Sequence, residues 1–296
     1  MSELPNQSAA GRHKNRLVVV LFMTAAYLVA EVIGGLLTGS LALLADAGHM
    51  LTDVAGIGLA LLAIQFGERP ATPEHSYGYY RLEILAAVAN SVVLIGVSLY
   101  ILWEACKRFR QPPEVSSGTM LVVALVGLAV NVVSMLMLHH ASGESLNITG
   151  AYYEVLSDLL TSLGVIVAAL IMITTGWYYA DPIISAAIGL FILPRTWRLL
   201  KEGVSVLLEG TPSDVSLAAV RESLKQIPGV LEVHDLHVWS LTSGVNACSA
   251  HLTIRDATLQ SEVLAMARCV LKEKHRLEHS TLELEPPGLE GCELHE

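Results

Sequence analysis

The sequence predicts an α-helical membrane protein with six transmembrane helices, followed by a small α+β cytosolic domain. Hydrophobic residues make up 53% of the 296 residues and charged residues only 16%, which is too apolar for an ordinary soluble domain. A helix that crosses a bilayer needs about 20 mostly apolar residues, and six stretches meet this requirement. After Gly210 the long apolar stretches give way to shorter runs and more charge, which is typical of a soluble domain.

Residues that end helices separate the six stretches. The breaks include Thr38-Gly39-Ser40, Gln111-Pro112-Pro113 and Ser142-Gly143-Glu144. The predicted spans are residues 16–38, 41–66, 83–106, 119–140, 150–175 and 178–200. The predicted organisation is therefore a cytosolic N-terminal tail (1–15), a six-helix transmembrane domain (16–202), a cytosolic domain (203–288) and a flexible C-terminal tail (289–296).

Basic residues predict the orientation in the membrane. Six crossings place both termini on one side, and the loops of the opposite side carry mainly Lys107, Arg108 and Arg110. Because Lys and Arg concentrate on the cytoplasmic side of membrane proteins, we expect the N- and C-termini in the cytoplasm. The basic residues of that side are Arg12, Lys14, Arg16, Arg69, Arg81, Arg195, Arg198 and Lys201.

Charge and cysteine usage agree with a cytosolic tail. The net charge of −10 arises largely from acidic residues in the last third of the chain, which makes nucleic acid an unfavourable partner. The spacing of the four cysteines does not suggest a disulfide framework, and Cys248, Cys269 and Cys292 lie in the hydrophilic tail. Free thiols favour a reducing compartment. No organic cofactor is expected.

The tail has the pattern of two helices and three strands. A helical period covers 215–227, apolar runs cover 230–241 and 245–254, a second helix covers 258–274, and a last strand covers 280–284. This α-β-β-α-β order predicts a small open-faced sandwich. Alternation along the first strand predicts that His234 and Asp235 point to opposite faces.

Ionisable residues lie inside two of the predicted spans. Asp46, His49 and Asp53 occupy one face of the second span, because spacings of three and four residues align on a helix. Glu154 and Asp158 repeat the four-residue spacing in the fifth span. A charge at the bilayer centre costs about 2.5–3.5 kcal/mol on insertion scales, so such residues are functional candidates by default.

Together these two faces predict an intramembrane metal site. His49, Asp53, Glu154 and Asp158 supply one imidazole and three carboxylates, which suit a tetrahedral divalent ion. Asp46 is a further candidate, as a ligand, a supporting group or a proton acceptor. The alternatives are structural hydrogen-bonding groups or a proton relay without a metal. Glu31 and Asn131 are interpreted as groups that hydrogen-bond neighbouring helices.

Several segments resemble the cation diffusion facilitator family. They are Ser40–Asp53 (SLALLADAGHMLTD), His75–Glu83 (HSYGYYRLE), Asp181-Pro182 and Val233–Ser240 (VHDLHVWS). The similarity covers nearly the whole chain and is greatest to the bacterial zinc, cobalt and cadmium exporters. It implies a homodimer with six spans per protomer, a ferredoxin-like cytosolic domain, and export of divalent cations in exchange for protons.

The resemblance also implies a metal and a location. Zn²⁺ is expected first, as the transported substrate and as a regulatory ligand of the tail, with Co²⁺ and Cd²⁺ as alternatives. The expected location is the bacterial inner membrane. Glu154 stands where zinc-type members commonly have a histidine, and a carboxylate there is expected to broaden acceptance toward cobalt, cadmium, iron or manganese.

The resemblance implies further sites outside the spans. A second metal site after the second span retains only His75, and Arg81 is expected to form a charge interlock with Glu209. In the tail, His234, His251 and Glu285 correspond to metal-binding positions, with Glu283 in place of a histidine. Other residues with side chains that bind zinc add to the set: His279, Cys292 and His295.

Two other function classes remain open at this point. An intramembrane metallohydrolase would need an open metal position with a general base, and His49–Asp53 lacks the His-Glu-x-x-His arrangement. A proton-coupled exporter of a small organic solute would need a roomy aromatic-lined cavity, whereas aromatic residues make up only 6% of the chain. The ligand set favours metal export.

Overall fold

The computed structural model describes residues 9–67, 72–139, 146–242 and 244–288, with side chains described for 19–52, 54–55, 72–137, 155–242 and 244–288. The chain divides into two compact units. The membrane unit comprises Met1–Leu61 and Ala89–Leu200, and the tail unit comprises Leu62–Val88 and Lys201–Glu296. The tail unit therefore includes the segment that joins the second and third long helices.

Six long helices occupy the first two-thirds of the described chain, and each overlaps one predicted span. They are α1 (Ala9–Thr38), α2 (Leu41–Gly67), α3 (Arg81–Arg108), α4 (Ser117–His139), α5 (Leu146–Thr175) and α6 (Ala180–Leu207).

Five segments in the described part of the chain are long and apolar enough to cross a bilayer. They are Val19–Thr38, Arg81–Arg108, Ser117–Met137, Val155–Thr175 and Ala180–Leu207. Within α2, the shorter apolar segment Leu41–Thr52 is found among the described side chains. The protein is therefore a multi-pass α-helical membrane protein.

Small residues allow the helices of the membrane unit to approach closely. A Cβ atom on Gly34 of α1 would lie 2.9 Å from a methyl carbon of Val123 on α4, and a Cβ atom on Gly127 of α4 would overlap the Tyr27 ring. Association of helices in lipid depends on such close packing, because burial between helices gains little over burial in lipid tails. A substitution at Gly127 therefore requires the Tyr27 ring to move.

The tail contains two short helices and one three-stranded sheet. The elements are α7 (Leu217–Lys225), β1 (Val230–Thr242), β2 (Val245–Ile254), α8 (Gln260–His275, after a 3₁₀ turn) and β3 (His279–Glu285). Their order along the chain is the predicted α-β-β-α-β order. Strand β2 lies between β1, to which it is antiparallel, and β3, to which it is parallel.

One core holds the tail together. The buried stripe of α7 (Val220 and Leu224) and that of α8, which includes Val263 and Leu271, pack in the same apolar cluster as Leu252 of β2. The side chain of Ser216 begins α7 by accepting a hydrogen bond from the backbone N–H of Ala219 at 3.3 Å. Since both helices use one sheet face, the other face is left for polar side chains.

Candidate metal centres

The predicted intramembrane site brings together α2 and α5. His49 Nε2 lies 3.4 Å from Asp158 Oδ1, and the two side chains are only 4% and 3% exposed. Asp53 and Glu154 lie one helical turn away on α2 and α5, but their side chains fall outside the described residues. An imidazole and a carboxylate therefore meet in a buried position, with the two other predicted ligands on the same two helices.

Asp46 joins α2 to α5 by hydrogen bonds. Its Oδ1 accepts a hydrogen bond from Thr161 Oγ1 at 2.6 Å, and its Oδ2 accepts a longer one from Ser162 Oγ at 3.5 Å. Ser162 Oγ in turn accepts a hydrogen bond from Asn131 Nδ2 of α4 at 3.1 Å. These contacts place Asp46 beside hydroxyl donors one turn beyond Asp158.

Glu31 extends this polar network into α1. The hydroxyl of Tyr27 donates to Glu31 Oε1 at 2.9 Å, and Glu31 is fully buried. Glu31 also contacts the Asp46 carboxyl group. Asn131 bonds a neighbouring helix as the sequence predicts, whereas the Tyr27 partner of Glu31 lies on the same helix. The aromatic partner was missed because the sequence gives no sign that Tyr27 faces inward.

A small cleft opens beside His49. It is lined by His49 and Thr52 of α2 and by side chains of α6 between Phe191 and Leu199, including Arg195. Pro194 lies in the same stretch of α6, and proline removes one backbone hydrogen bond of a helix. The cleft makes His49 the member of the described ligand pair that faces an opening.

The second centre lies on the polar face of the tail sheet. His234 Nε2 is 3.1 Å from Glu285 Oε2, and His251 Nδ1 is 2.9 Å from Glu285 Oε1. The three residues come together because His234 pairs with His251 across β1 and β2, while Glu285 ends the adjacent β3. Their ligand atoms lie within 4.8 Å of one another, which suits a single metal ion.

The prediction that His234 and Asp235 point to opposite faces of the sheet is wrong. The register between β1 and β2 shifts between His234 and His237, and Asp235 has a φ of 46°. This bulge turns Asp235 toward the histidines: its Oδ2 lies 3.7 Å from His251 Nε2 and its Oδ1 lies 2.8 Å from His237 Nε2. The His237 contact lowers the pKa of Asp235.

The other predicted tail ligands are arranged unequally. Glu283 pairs with His251 in the sheet register, and its Oε2 lies 3.6 Å from His251 Nε2. His279 is exposed at the start of β3, where its ring meets the edge of Tyr77 at 5.5 Å between centroids. Cys292 and His295 lie outside the described residues.

The loop site that the resemblance implies retains one of its expected ligands, His75. His75 is exposed and its ring stacks on Tyr79 at 4.7 Å between centroids. Within the described residues, the one group of three or more possible metal ligands within mutual reach is His234, His251 and Glu285. The structure therefore gives His75 an aromatic neighbour and no cluster of described ligands.

Two polar contacts connect the start of α3 to the rest of the tail unit. Arg81 Nη2 donates to Glu209 Oε1 at 2.9 Å, and both side chains are substantially exposed, at 37% and 64%. Thr242, the last residue of β1, donates a short hydrogen bond to Glu83. An exposed ion pair contributes about 0–1 kcal/mol, so Arg81–Glu209 aligns these segments more than it stabilises them.

Family models match both parts of the chain. The model of the cation efflux transmembrane domain matches residues 17–208, and that of the cation efflux protein cytoplasmic domain matches residues 212–287. The chain belongs to the cation efflux family. This confirms the resemblance to the cation diffusion facilitators, and the protein is a divalent metal cation exporter, a transporter and not an enzyme.

Named relatives cover almost the full chain. The metal cation efflux system protein CzcD of Cupriavidus metallidurans is 46% identical over 285 residues, which span 96% of this chain and 89% of that protein. The zinc transporter ZitB of Escherichia coli is 42% identical and spans 99% and 93%. A cadmium, cobalt and zinc/H⁺-K⁺ antiporter of Bacillus velezensis is 42% identical and spans 94% and 90%.

A solved structure is similar in sequence to part of the chain. It is described as the metal-bound C-terminal domain of the CzcD transporter of Cupriavidus metallidurans, is 36% identical, and covers 24% of this chain and 99% of its own. The TM-score is 0.23, too low for a comparison of the two folds.

Proposed function

We propose that this protein exports Zn²⁺ from the bacterial cytoplasm in exchange for protons, using His49, Asp53, Glu154 and Asp158 as the transport site. The contact between His49 and Asp158 carries the proposal, because it brings an imidazole and a carboxylate from two membrane helices to 3.4 Å in a buried position. Similarity to a zinc transporter and to a cadmium, cobalt and zinc antiporter supports the choice of metal.

The proposed mechanism is alternating access. Metal reaches the site from the cytoplasm, the helices rearrange, and protonation of the ligands on the other side releases the ion. Ligand lone pairs cannot hold a proton and a metal at the same time, so proton binding and metal binding exclude each other. Buried carboxylates are costly without a cation, which means that either the metal or protons must be present throughout the cycle.

The proposal includes a topology and an assembly. The protein lies in the bacterial inner membrane and crosses it six times, with α2 as one of the spans. Both termini are in the cytoplasm. The tail domain, with its α-β-β-α-β order and ferredoxin-like fold, mediates a homodimer. The match to the cation efflux cytoplasmic domain supports this role for residues 212–287.

The proposal assigns the tail centre to regulation. Zn²⁺ bound by His234, His251 and Glu285 favours the transporting arrangement of the dimer, since a ligand shifts an equilibrium by its differential affinity for two states. Glu283 and Asp235 border this centre within 3.7 Å of His251 and add negative charge that attracts a cation. Arg81 and Glu209 form the charge interlock, with His75 left outside the ligand set.

Metal flux into proteoliposomes tests the proposal. Vesicles with an acidic interior should take up Zn²⁺, with Co²⁺, Cd²⁺ and Mn²⁺ compared under the same pH gradient. Asp158→Ala should abolish uptake, and Glu154→His should narrow the preference toward Zn²⁺, because imidazole is a softer ligand than carboxylate. Absence of metal uptake by correctly folded dimeric wild type would refute the proposal.

A further inference from the structure

The first turn of α2 is held by a carboxylate from α6. Asp181 is fully buried, and its Oδ1 accepts hydrogen bonds from Ser40 Oγ at 2.6 Å and from the Ala42 N–H at 3.1 Å. Its Oδ2 accepts a hydrogen bond from the Leu41 N–H at 3.0 Å. The first N–H groups of a helix have no partner within that helix, so Asp181 completes the N-terminus of α2 from 140 residues away.

Arg108 connects α3 to the same carboxylate. Its Nη1 donates to Asp181 Oδ2 at 3.4 Å and to the carbonyl oxygen of Gly39, just before α2, at 2.6 Å. Asp181 also lies in the first turn of α6, so the carboxylate is near the positive ends of two helix dipoles. A buried charge needs such compensation, and the arrangement of Asp181, Ser40 and Arg108 is called the Asp181 latch below.

The latch and the metal site lie on the same helices. His49 is eight residues beyond the start of α2, which is roughly 12 Å along the helix axis. The cleft beside His49 has α6 as its other wall, between Phe191 and Leu199. Helices α2 and α6 are thus joined at their N-terminal ends and leave an opening farther along, at His49.

We propose that Asp181 is a positioning residue for metal transport. By fixing the first turn of α2 to α6 and α3, the latch sets the position of His49 relative to Asp158. A rigid helix transmits a shift of its first turn to residues two turns away. Loss of the latch therefore weakens metal binding at the transport site without removing a ligand. The inference rests on the proposed role of His49 in transport.

Zinc uptake by proteoliposomes, measured against zinc concentration, tests the role of Asp181. Asp181→Asn replaces the two hydrogen-bonded carboxylate oxygens by one neutral oxygen and one –NH₂ group, which cannot accept hydrogen bonds. It should raise KM about tenfold while the maximal rate changes less than about threefold. Ser185→Ala is the matched control: Ser185 Oγ donates to the Asp181 backbone carbonyl at 2.6 Å within α6. It removes a buried hydrogen bond of the same turn, and should leave KM unchanged.

A second pair of variants keeps the test informative if Asp181→Asn does not fold. Ser40→Ala removes one hydroxyl that both donates to Asp181 and accepts from the Leu43 N–H at 3.2 Å, and should raise KM by a smaller factor. Ser40→Thr retains the hydroxyl and should restore the wild-type KM. A purely structural role would instead lower the amount of active protein, and with it the maximal rate, at constant KM.

The outcomes separate the latch from the transport site. Wild-type KM in Asp181→Asn, or equal KM in Ser40→Ala and Ser40→Thr beside a normal wild type, would overturn the latch. Failure of the transport site itself has another signature: His49→Ala would then transport zinc as well as the wild type does. A raised KM in Asp181→Asn together with inactive His49→Ala supports both.

Discussion

The two candidate metal centres use similar ligands in opposite surroundings. In the membrane unit, His49 and Asp158 are almost completely buried between helices, at 4% and 3% exposure. In the tail, His234 and His251 are 19% and 32% exposed on a sheet face, and Glu285 alone is buried, at 5%. The membrane pair depends on the packing of two helices, whereas the tail group depends on strand register.

The difference in burial indicates different tasks. A buried carboxylate inside a membrane needs a cation, so the proposed transport cycle exchanges one cation for another at the membrane centre. The tail ligands can be hydrated when no metal is bound, and can therefore bind and release metal as its concentration changes.

Removal of the membrane imidazole should stop transport and leave the tail unchanged. We expect His49→Ala to lower the zinc uptake rate by about 100-fold or more, because it removes one of the four proposed metal ligands. Zinc binding to the tail is measured by calorimetry on the full chain carrying Asp158→Ala. The zinc affinity of the tail should be the same with and without His49→Ala. A loss of tail affinity in His49→Ala would show that the two centres are not independent.

Removal of a tail imidazole should have the reverse effect. His251→Ala should weaken zinc binding to the tail by about tenfold or more, since His251 Nδ1 is one of three clustered ligands, while uptake at saturating zinc stays within about threefold. His279→Ala is the matched control, because His279 lies on the same sheet and outside that cluster. Equal effects of the two substitutions would contradict the assignment of the tail centre.

Loss of the hydroxyl that supports Asp46 should have a moderate effect. Thr161→Val removes the 2.6 Å hydrogen bond to a buried carboxylate, a contact worth about 1.5–3 kcal/mol, and should weaken zinc affinity at the membrane centre about tenfold. Thr174→Val on the same helix is the control, because the Thr174 hydroxyl donates to the backbone of its own helix. A wild-type KM for zinc uptake in both variants would contradict a contribution of the Thr161–Asp46 hydrogen bond to metal binding.

A pH-dependent effect on stability is expected in the tail core. Burial raises the pKa of Cys248 from 9.0 to about 11, so the folded tail favours the neutral thiol. This contribution is complete below pH 9 and is lost as the pH rises toward 11, by at most about 3 kcal/mol of unfolding free energy.

Urea unfolding at several pH values measures this effect. The substitutions Trp103→Phe, Trp177→Phe and Trp197→Phe leave Trp239 as the only tryptophan of the chain. Its fluorescence then reports on the tail alone. Cys248→Ala should lose less stability than the cysteine-containing protein between pH 9 and 11. Identical pH profiles would show that the thiol does not titrate in this range.

Much of the local structure followed from the sequence. Lipid requires long apolar helices and charges are costly within them, so the spans and the residues His49 and Asp158 stood out without any tertiary information. The strands and helices of the tail followed from apolar runs and periodicity in the same way. An ionisable side chain inside a membrane span is energetically costly, which identifies both His49 and Asp158. A contact between them was therefore predictable even though the two residues are 109 positions apart.

Other features had no local signature. Nothing in the pattern of β1 indicated the bulge that turns Asp235 toward His251, because a bulge depends on how two strands pair. The sequence marked Asp181 only through a resemblance, and its contacts with α2 needed the helix arrangement.

The sequence by itself determined which segments form helices and strands and which side chains are candidates for the metal chemistry. Only the tertiary structure decided which hydrogen-bond partners support them: Thr161 for Asp46, 115 residues apart, and Asp181 for the first turn of α2, 140 residues apart. The physical reason is that hydrophobic periodicity is a property of neighbouring residues and can be read along the chain. A hydrogen bond between distant helices depends on how those helices pack, and the local pattern of apolar residues does not specify that packing.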